Sequence, residues 1–167
     1  MYVPGTLLNF VVAGSMAAVG QKVSPRALIA TGLALVGAGQ ALLTVLAVDS
    51  SWWLFLPGLL VAMAGTGILN PIVSQVALSS APPEQSGLAA GVNDMFRQAG
   101  IAVGVAALGA LVPAAAAFGD GSPQSYVDGF HDALWVGAVL AFAASVACAL
   151  LLRRPVGVPA EAALEAA

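Results

Sequence analysis

Long apolar stretches, separated by short polar interruptions, run along the whole chain. Five of them predict membrane-crossing helices, because a helix needs about 20 apolar residues to cross the hydrocarbon core of a bilayer. Their expected bounds are 2–20, 27–48, 52–80, 87–113 and 133–152. The residues from Phe118 to His131 have the composition of a longer loop outside the membrane. Residues 1–154 are therefore predicted to form one transmembrane helical region, followed by a short cytoplasmic tail over 155–167.

Composition favours lipid over water as the surroundings of these helices. Of the 167 residues, 60% are hydrophobic and 8% are charged, whereas an ordinary soluble domain has about 25% charged residues. The net charge of −3 arises from few groups and does not indicate a nucleic-acid partner. We predict an all-α membrane protein with about five transmembrane helices and the lipid bilayer as its partner.

The charges between the spans predict the orientation of the chain. With five spans, one side carries the basic residues Lys22, Arg26, Arg153 and Arg154. The other side carries Asp49, Asp120 and Asp128. Cytoplasmic loops hold the excess of Lys and Arg in membrane proteins. We therefore expect a multi-pass protein of the cell membrane, with its N-terminus outside and its C-terminus in the cytoplasm.

The third predicted span carries Asn70 and Pro71 near its middle. Proline removes a backbone hydrogen bond and bends a helix, and such breaks mark transport sites in some membrane proteins. Asn70 is therefore a candidate substrate or gating residue. A plain proline kink, with its freed backbone groups satisfied by neighbouring helices, is the alternative.

The fourth predicted span contains a polar cluster, GVNDMFRQAG at 91–100. Its candidate substrate or gating residues are Asn93, Asp94, Arg97 and Gln98. Asp94 and Arg97 are three positions apart and can pair on one helix face. An isolated charge at the bilayer centre costs about 2.5 to 3.5 kcal/mol, so this cluster is expected to face a cavity or polar partners. In a rival placement the span begins after Arg97 and leaves the cluster at the membrane surface.

Glycines recur at intervals of four along the same span. Gly87 with Gly91, and Gly100 with Gly104, have the small-xxx-small spacing that lets two helix backbones approach closely. The candidate helix-packing residues are Gly87, Gly91, Gly100, Gly104 and Gly109.

Few residues in the chain indicate an enzyme. His131 lies close to Asp128 and Asp132, a spacing that can bind a metal, but we interpret these residues as polar groups at the membrane edge. The chain has one cysteine and no phosphate-binding or nucleophile motif. We expect no enzymatic activity, no metal and no cofactor.

The segment 82–109, PPEQSGLAAGVNDMFRQAGIAVGVAALG, resembles the next-to-last span of the 14-span drug:proton antiporter branch of the major facilitator superfamily. The likeness consists of a Pro-Glu loop, a glycine-rich helix, an asparagine and an Arg-Gln pair. Asp94 stands where that family usually has an uncharged residue, and Ile101 where it often has a glycine. Lys22 and Arg26 resemble the basic cytoplasmic loop of the family.

The resemblance covers nearly the whole chain and implies part of the C-terminal half-bundle of the major facilitator fold. The chain would correspond to the last five of about fourteen spans, and its partners would be the missing N-terminal spans. The full-length parent would export a small molecule in exchange for protons. Because the substrate path of such transporters lies between two halves, five spans alone are expected not to transport. The alternative is a small stand-alone membrane protein that acts by helix–helix association.

Overall fold

The computed structural model describes residues 3–19, 23–45, 52–112 and 122–151. Its α-helices are α1 (Val3–Val19), α2 (Pro25–Leu43), α3 (Trp52–Ser79), α4 (Ser86–Gly109) and α5 (Pro123–Leu151). A short 3₁₀ turn, Pro83–Gln85, leads into α4. These residues contain no strand, and the predicted all-α class is confirmed.

The third helix stands at the centre of the bundle. α3 packs against α1 on one side and α2 on another, and α2 also packs against α5. The core is formed by Leu28 and Ile29 of α2 with Ile72 of α3, and the half-buried Cys148 of α5 packs against it. The helix α4 touches α3 and α5 but has no buried residue.

Glycines bring α2 and α3 into backbone contact. A Cβ atom added to Gly39 would lie 2.5 Å from the backbone nitrogen of Ala62, and one added to Gly65 would lie 2.6 Å from the carbonyl oxygen of Gly32. No side chain fits at such distances. The close approach of these two helices therefore explains Gly65, which the sequence places near the proline of the third span.

Hydrogen bonds join α1 to α3 and α5 to α2. The Asn9 side-chain amide of α1 donates to Thr66 Oγ1 at 2.8 Å and to the Met63 carbonyl at 3.1 Å, both on α3. The Ser145 hydroxyl of α5 donates to the Ala30 carbonyl of α2 at 2.7 Å. Asn9 and Ser145 thus bond across helix interfaces, as polar side chains of membrane helices do in other bundles.

The outer surface of the bundle is strongly apolar. Phe10 is 77% exposed, Trp53 76% and Leu150 73%. Soluble monomers rarely expose contiguous apolar patches of this kind. By length and composition, three of the described helices can cross a membrane: Pro25–Leu43, Trp53–Ser79 and Gln124–Leu151. The protein is a multi-pass membrane protein.

The described parts of α1 and α4 are not both long enough and apolar enough to count as membrane-crossing helices by the same measure. The apolar part of α1 in the described residues, Gly5–Met16, is shorter. The polar cluster of α4 lowers its average hydropathy. The count of five spans, and the bilayer placement of the polar cluster, stay predictions. The cluster itself lies inside a continuous helix that begins at Ser86, eleven positions before Arg97.

The fifth helix begins ten residues before the predicted bound of 133, at Pro123. The prediction of a loop up to His131 is therefore wrong for residues 123–131. Ser122 explains the early start, because its Oγ accepts a hydrogen bond from the Ser125 backbone N–H at 3.2 Å and so caps the helix. Pro123 then occupies the first helical position, where its missing N–H costs nothing.

Several predictions concern residues outside the described ranges. They are the basic residues Lys22, Arg153 and Arg154, the acidic residues Asp49 and Asp120, and the tail 155–167.

Candidate functional site

Polar side chains of α3 and α4 face each other across a cleft. Two adjoining cavities, of about 360 Å³ and about 160 Å³, lie between these helices. We call them together the α3/α4 cleft, and its polar lining consists of Asn70, Ser74, Asn93, Asp94 and Arg97. Both helices contribute pairs spaced by four residues, which places each pair on one helix face.

Apolar residues form the rest of the cleft wall. Leu69 and Val73 belong to α3, and Phe96 belongs to α4. The mixture of an apolar wall with a few convergent polar groups is typical of small-molecule sites. Asn70 is exposed and Asn93 is half-buried, so their amides are available to a molecule in the cleft.

An ion pair lies along the α4 side of the cleft. The Arg97 Nε donates to Asp94 Oδ1 at 3.1 Å, and Arg97 Nη2 donates to the same oxygen. Both side chains are 53% exposed. The pair predicted from the spacing of three residues is therefore present, and the two charges neutralise each other within one turn of the helix.

The sequence-predicted candidates do not all meet at this cleft. Gln98 is exposed and does not line it. Arg26 lies half-buried in the first turn of α2, on an element that does not line the cleft. Ser74 lines both cavities although the sequence pattern did not single it out as a site residue. Its position four residues after Asn70 is the signal that places it on the same face.

The glycines predicted to pack α4 face open space in the described part of the chain. A Cβ atom added to any of five positions meets nothing within 4 Å: Gly87, Gly91, Gly100, Gly104 and Gly109. The packing role of these glycines stays a prediction, and it requires a protein surface other than the described helices.

Comparison with known proteins identifies a family over almost the full length. The family model of the Major Facilitator Superfamily matches residues 4–166. The chain is 26% identical over 111 residues to the Methylenomycin A resistance protein of Streptomyces coelicolor. This match covers 66% of this chain and 23% of that protein. It is 32% identical over 109 residues to the Probable actinorhodin transporter of the same organism. That match covers 61% of this chain and 19% of the transporter. No solved structure matches the chain.

The family match agrees with the molecule described above. The described residues are all-helical, the outer surface of the bundle is apolar, and five polar residues line a cleft between two helices. The chain spans less than a quarter of the length of these two curated relatives. The chain belongs to the Major Facilitator Superfamily.

Proposed function

We propose that the chain is the C-terminal part of a proton-coupled exporter of small molecules, and that the α3/α4 cleft forms part of its substrate path or gate. Two relatives that are named as a resistance protein and a probable transporter support the export function. The small share of each relative that the chain spans supports a larger parent with further N-terminal spans. The chain would serve transport as part of that larger parent and is expected not to transport alone, because the substrate path lies between two halves of the transporter.

The observation that carries the proposal is the ion pair on the cleft wall of a glycine-rich, apolar helix. Each isolated charge would cost about 2.5 to 3.5 kcal/mol at the bilayer centre. Pairing reduces this cost but does not remove it, because half of each side chain of Asp94 and Arg97 is still exposed. Keeping such a pair in an apolar helix is reasonable when it contacts substrate or water in the transport cycle.

The same pair places the Arg97 guanidinium in the cleft. There it lies beside the amides of Asn70 and Asn93, which line the same cavity. The expected substrate is a small hydrophobic or cationic compound that passes along this polar lining.

Arg97→Ala in the full-length parent is expected to abolish efflux, and Arg97→Lys to retain part of it, because lysine keeps the charge but not the planar guanidinium. Drug resistance of cells and efflux from inverted vesicles measure both. Met95→Leu is the matched control, since Met95 lies on the same helix, is 60% exposed and does not line the cleft. Full resistance in the alanine variant would contradict the proposal.

A stand-alone protein that associates with other helices is the second candidate, and the open glycines of α4 favour it equally. The DNA upstream of Met1 distinguishes the two. A reading frame that continues upstream through further hydrophobic spans supports the exporter. A promoter and ribosome-binding site directly before Met1 supports the stand-alone protein.

A further inference from the structure

The two cavities of the α3/α4 cleft differ in the charges that border them. In the described part of the chain, Arg97 is the one charged residue that lines the larger cavity of about 360 Å³. Asp94 lines only the smaller cavity of about 160 Å³, which Arg97 also lines. Drug-sized ligands take cavities of about 300 to 1,000 Å³. Of the two charges in the ion pair, only the positive one therefore borders a space of that size.

The ion pair uses only one edge of the Arg97 guanidinium. Arginine has five N–H donors, and Asp94 Oδ1 accepts one hydrogen bond from Nε and one from Nη2. Nη1 and the second hydrogen of Nη2 have no partner among the described residues. This free edge presents two parallel N–H groups, which fit the two oxygens of a carboxylate. Because the Arg97 side chain is 53% exposed, a ligand can reach it.

Neutral hydrogen-bond donors line the larger cavity beside the guanidinium. They are the amides of Asn70 and Asn93 and the hydroxyl of Ser74. None of these three side chains is hydrogen-bonded to another described residue, so each can donate to an anion. Among the described residues no carboxylate lines this cavity, so a cation would find no opposite charge in its lining. The donors and the charge together favour an anionic group.

We propose that the larger cavity binds an organic anion, whose carboxylate contacts the free edge of Arg97. Its apolar body would lie against Leu69, Val73 and Phe96, which form the rest of the wall. This inference rests on the proposed exporter and narrows its substrate to hydrophobic compounds that carry a carboxylate, in place of cations. The Asp94 carboxylate repels such a ligand, so the two members of the ion pair should have opposite effects on its binding.

Three probes that share one ring system and differ in charge test this preference: 2-naphthoate, 2-naphthamide and 2-naphthylmethylammonium. Binding of each tritiated probe is measured near neutral pH on the chain in phosphatidylcholine nanodiscs, with the signal of empty nanodiscs subtracted. We expect 2-naphthoate to bind about tenfold to a hundredfold more tightly than the amide, the range that a hydrogen bond between charged groups supplies. The ammonium probe should bind no more tightly than the amide.

Variants of the two charged residues separate binding from a structural role of the ion pair. Arg97→Gln should abolish the preference for 2-naphthoate, because glutamine keeps a donor but not the positive charge. Asp94→Asn should instead bind 2-naphthoate at least about threefold more tightly than the unchanged chain, because it removes a like charge close to the ligand. If the pair only held α4 in place, loss of either partner would weaken binding.

Met95→Gln is the matched control for Arg97→Gln. It introduces the same residue on α4 at a position that is 60% exposed and does not line either cavity of the cleft. This variant should bind all three probes as the unchanged chain does.

Three results would overturn this proposal. Equal or tighter binding of the ammonium probe would mean that the cavity does not select an anion. Weaker binding of 2-naphthoate to Asp94→Asn would mean that the intact pair, and not the free guanidinium edge, is what matters. Phosphatidylglycerol that native mass spectrometry finds on the unchanged chain but not on Arg97→Gln, without a preference for 2-naphthoate, would mean that a lipid phosphate occupies the site. Because the exporter is tested by efflux from the full-length parent and this site by binding to the chain, either can fail alone.

Discussion

At the scale of single residues, three polar side chains of the helices find their hydrogen-bond partners in different ways. Asn9 and Ser145 donate hydrogen bonds across helix interfaces. Arg97 instead bonds to Asp94 on its own helix. The cross-helix bonds hold the bundle together, whereas the pair on α4 joins no two helices and is free to exchange partners. Mutation of Asn9 or Ser145 is therefore expected to lower the stability of the bundle, whereas mutation of Arg97 is expected to change its function.

Asn9→Leu is expected to lower the free energy of unfolding by about 0.6 kcal/mol, and by no more than about 1.7, the range measured for side-chain hydrogen bonds between membrane helices. The leucine keeps the number and the branching of the side-chain heavy atoms of Asn9 and removes both bonds to α3. Unfolding of the chain by titration with a denaturing detergent measures the change. Ser15→Ala is the control, because the Ser15 hydroxyl bonds to the Val12 carbonyl of its own helix and is exposed. Equal stabilities of the two variants would contradict the prediction.

At the scale of the elements, the glycines of different helices lie in different surroundings. Gly39 and Gly65 lie in the contact between α2 and α3, where an added Cβ would meet backbone atoms within 2.6 Å. Gly100 of α4 meets nothing within 4 Å. A contact of backbone against backbone leaves α2 and α3 no freedom to slide past each other without breaking it.

Gly39→Ala should destabilise the chain by about 1 to 3 kcal/mol, the usual cost of one extra methyl group in a packed interior. Gly100→Ala should leave the stability unchanged or raise it by up to about 1 kcal/mol, since alanine is the better helix former. The same detergent titration compares the two variants. Equal effects would mean that α2 and α3 are not in backbone contact.

The sequence predicted the helices well where they are long and apolar, and less well at their ends. Each of the five described helices overlaps a predicted span, because a continuous apolar run leaves no other regular structure in lipid. The prediction of a loop up to His131 missed the first turns of α5, because Gly119, Gly121 and Pro123 favour a turn in the sequence. A cap such as Ser122 depends on the geometry of a single hydrogen bond, which the sequence pattern does not contain.

The candidate site was predictable within each helix but not between helices. Spacing alone placed Asp94 and Arg97 on one face of α4. That this face lies opposite Asn70 and Ser74 depends on how α3 and α4 pack, which periodicity does not contain. The same limit hid the open groove that Gln40 of α2 lines together with residues of α4 and α5, since Gln40 is distant in sequence from every other residue of that lining.

At the scale of the whole molecule, the predicted orientation in the membrane rests on the sequence positions of the charged residues. Ser122 and Ser24 are both exposed, just before the first turns of α5 and α2. In a Cys148→Ala background, Ser122→Cys should react with a membrane-impermeant maleimide added outside intact cells, and Ser24→Cys should not. Reaction of both after lysis is the control. The opposite pattern in intact cells would reverse the predicted topology.

The length of α5 has a further consequence for how the protein fits its bilayer. Its 29 residues span about 44 Å at 1.5 Å per residue, whereas the hydrocarbon layer is about 30 Å thick. At the average tilt of about 20°, the helix still exceeds that layer by roughly 11 Å, or about eight residues. The polar first turns from Gln124 to Asp128, joined by their own hydrogen bond, account for most of this excess. They would stand in the headgroup region, so the stacked rings of Tyr126 and Phe130 mark the depth at which lipid tails begin.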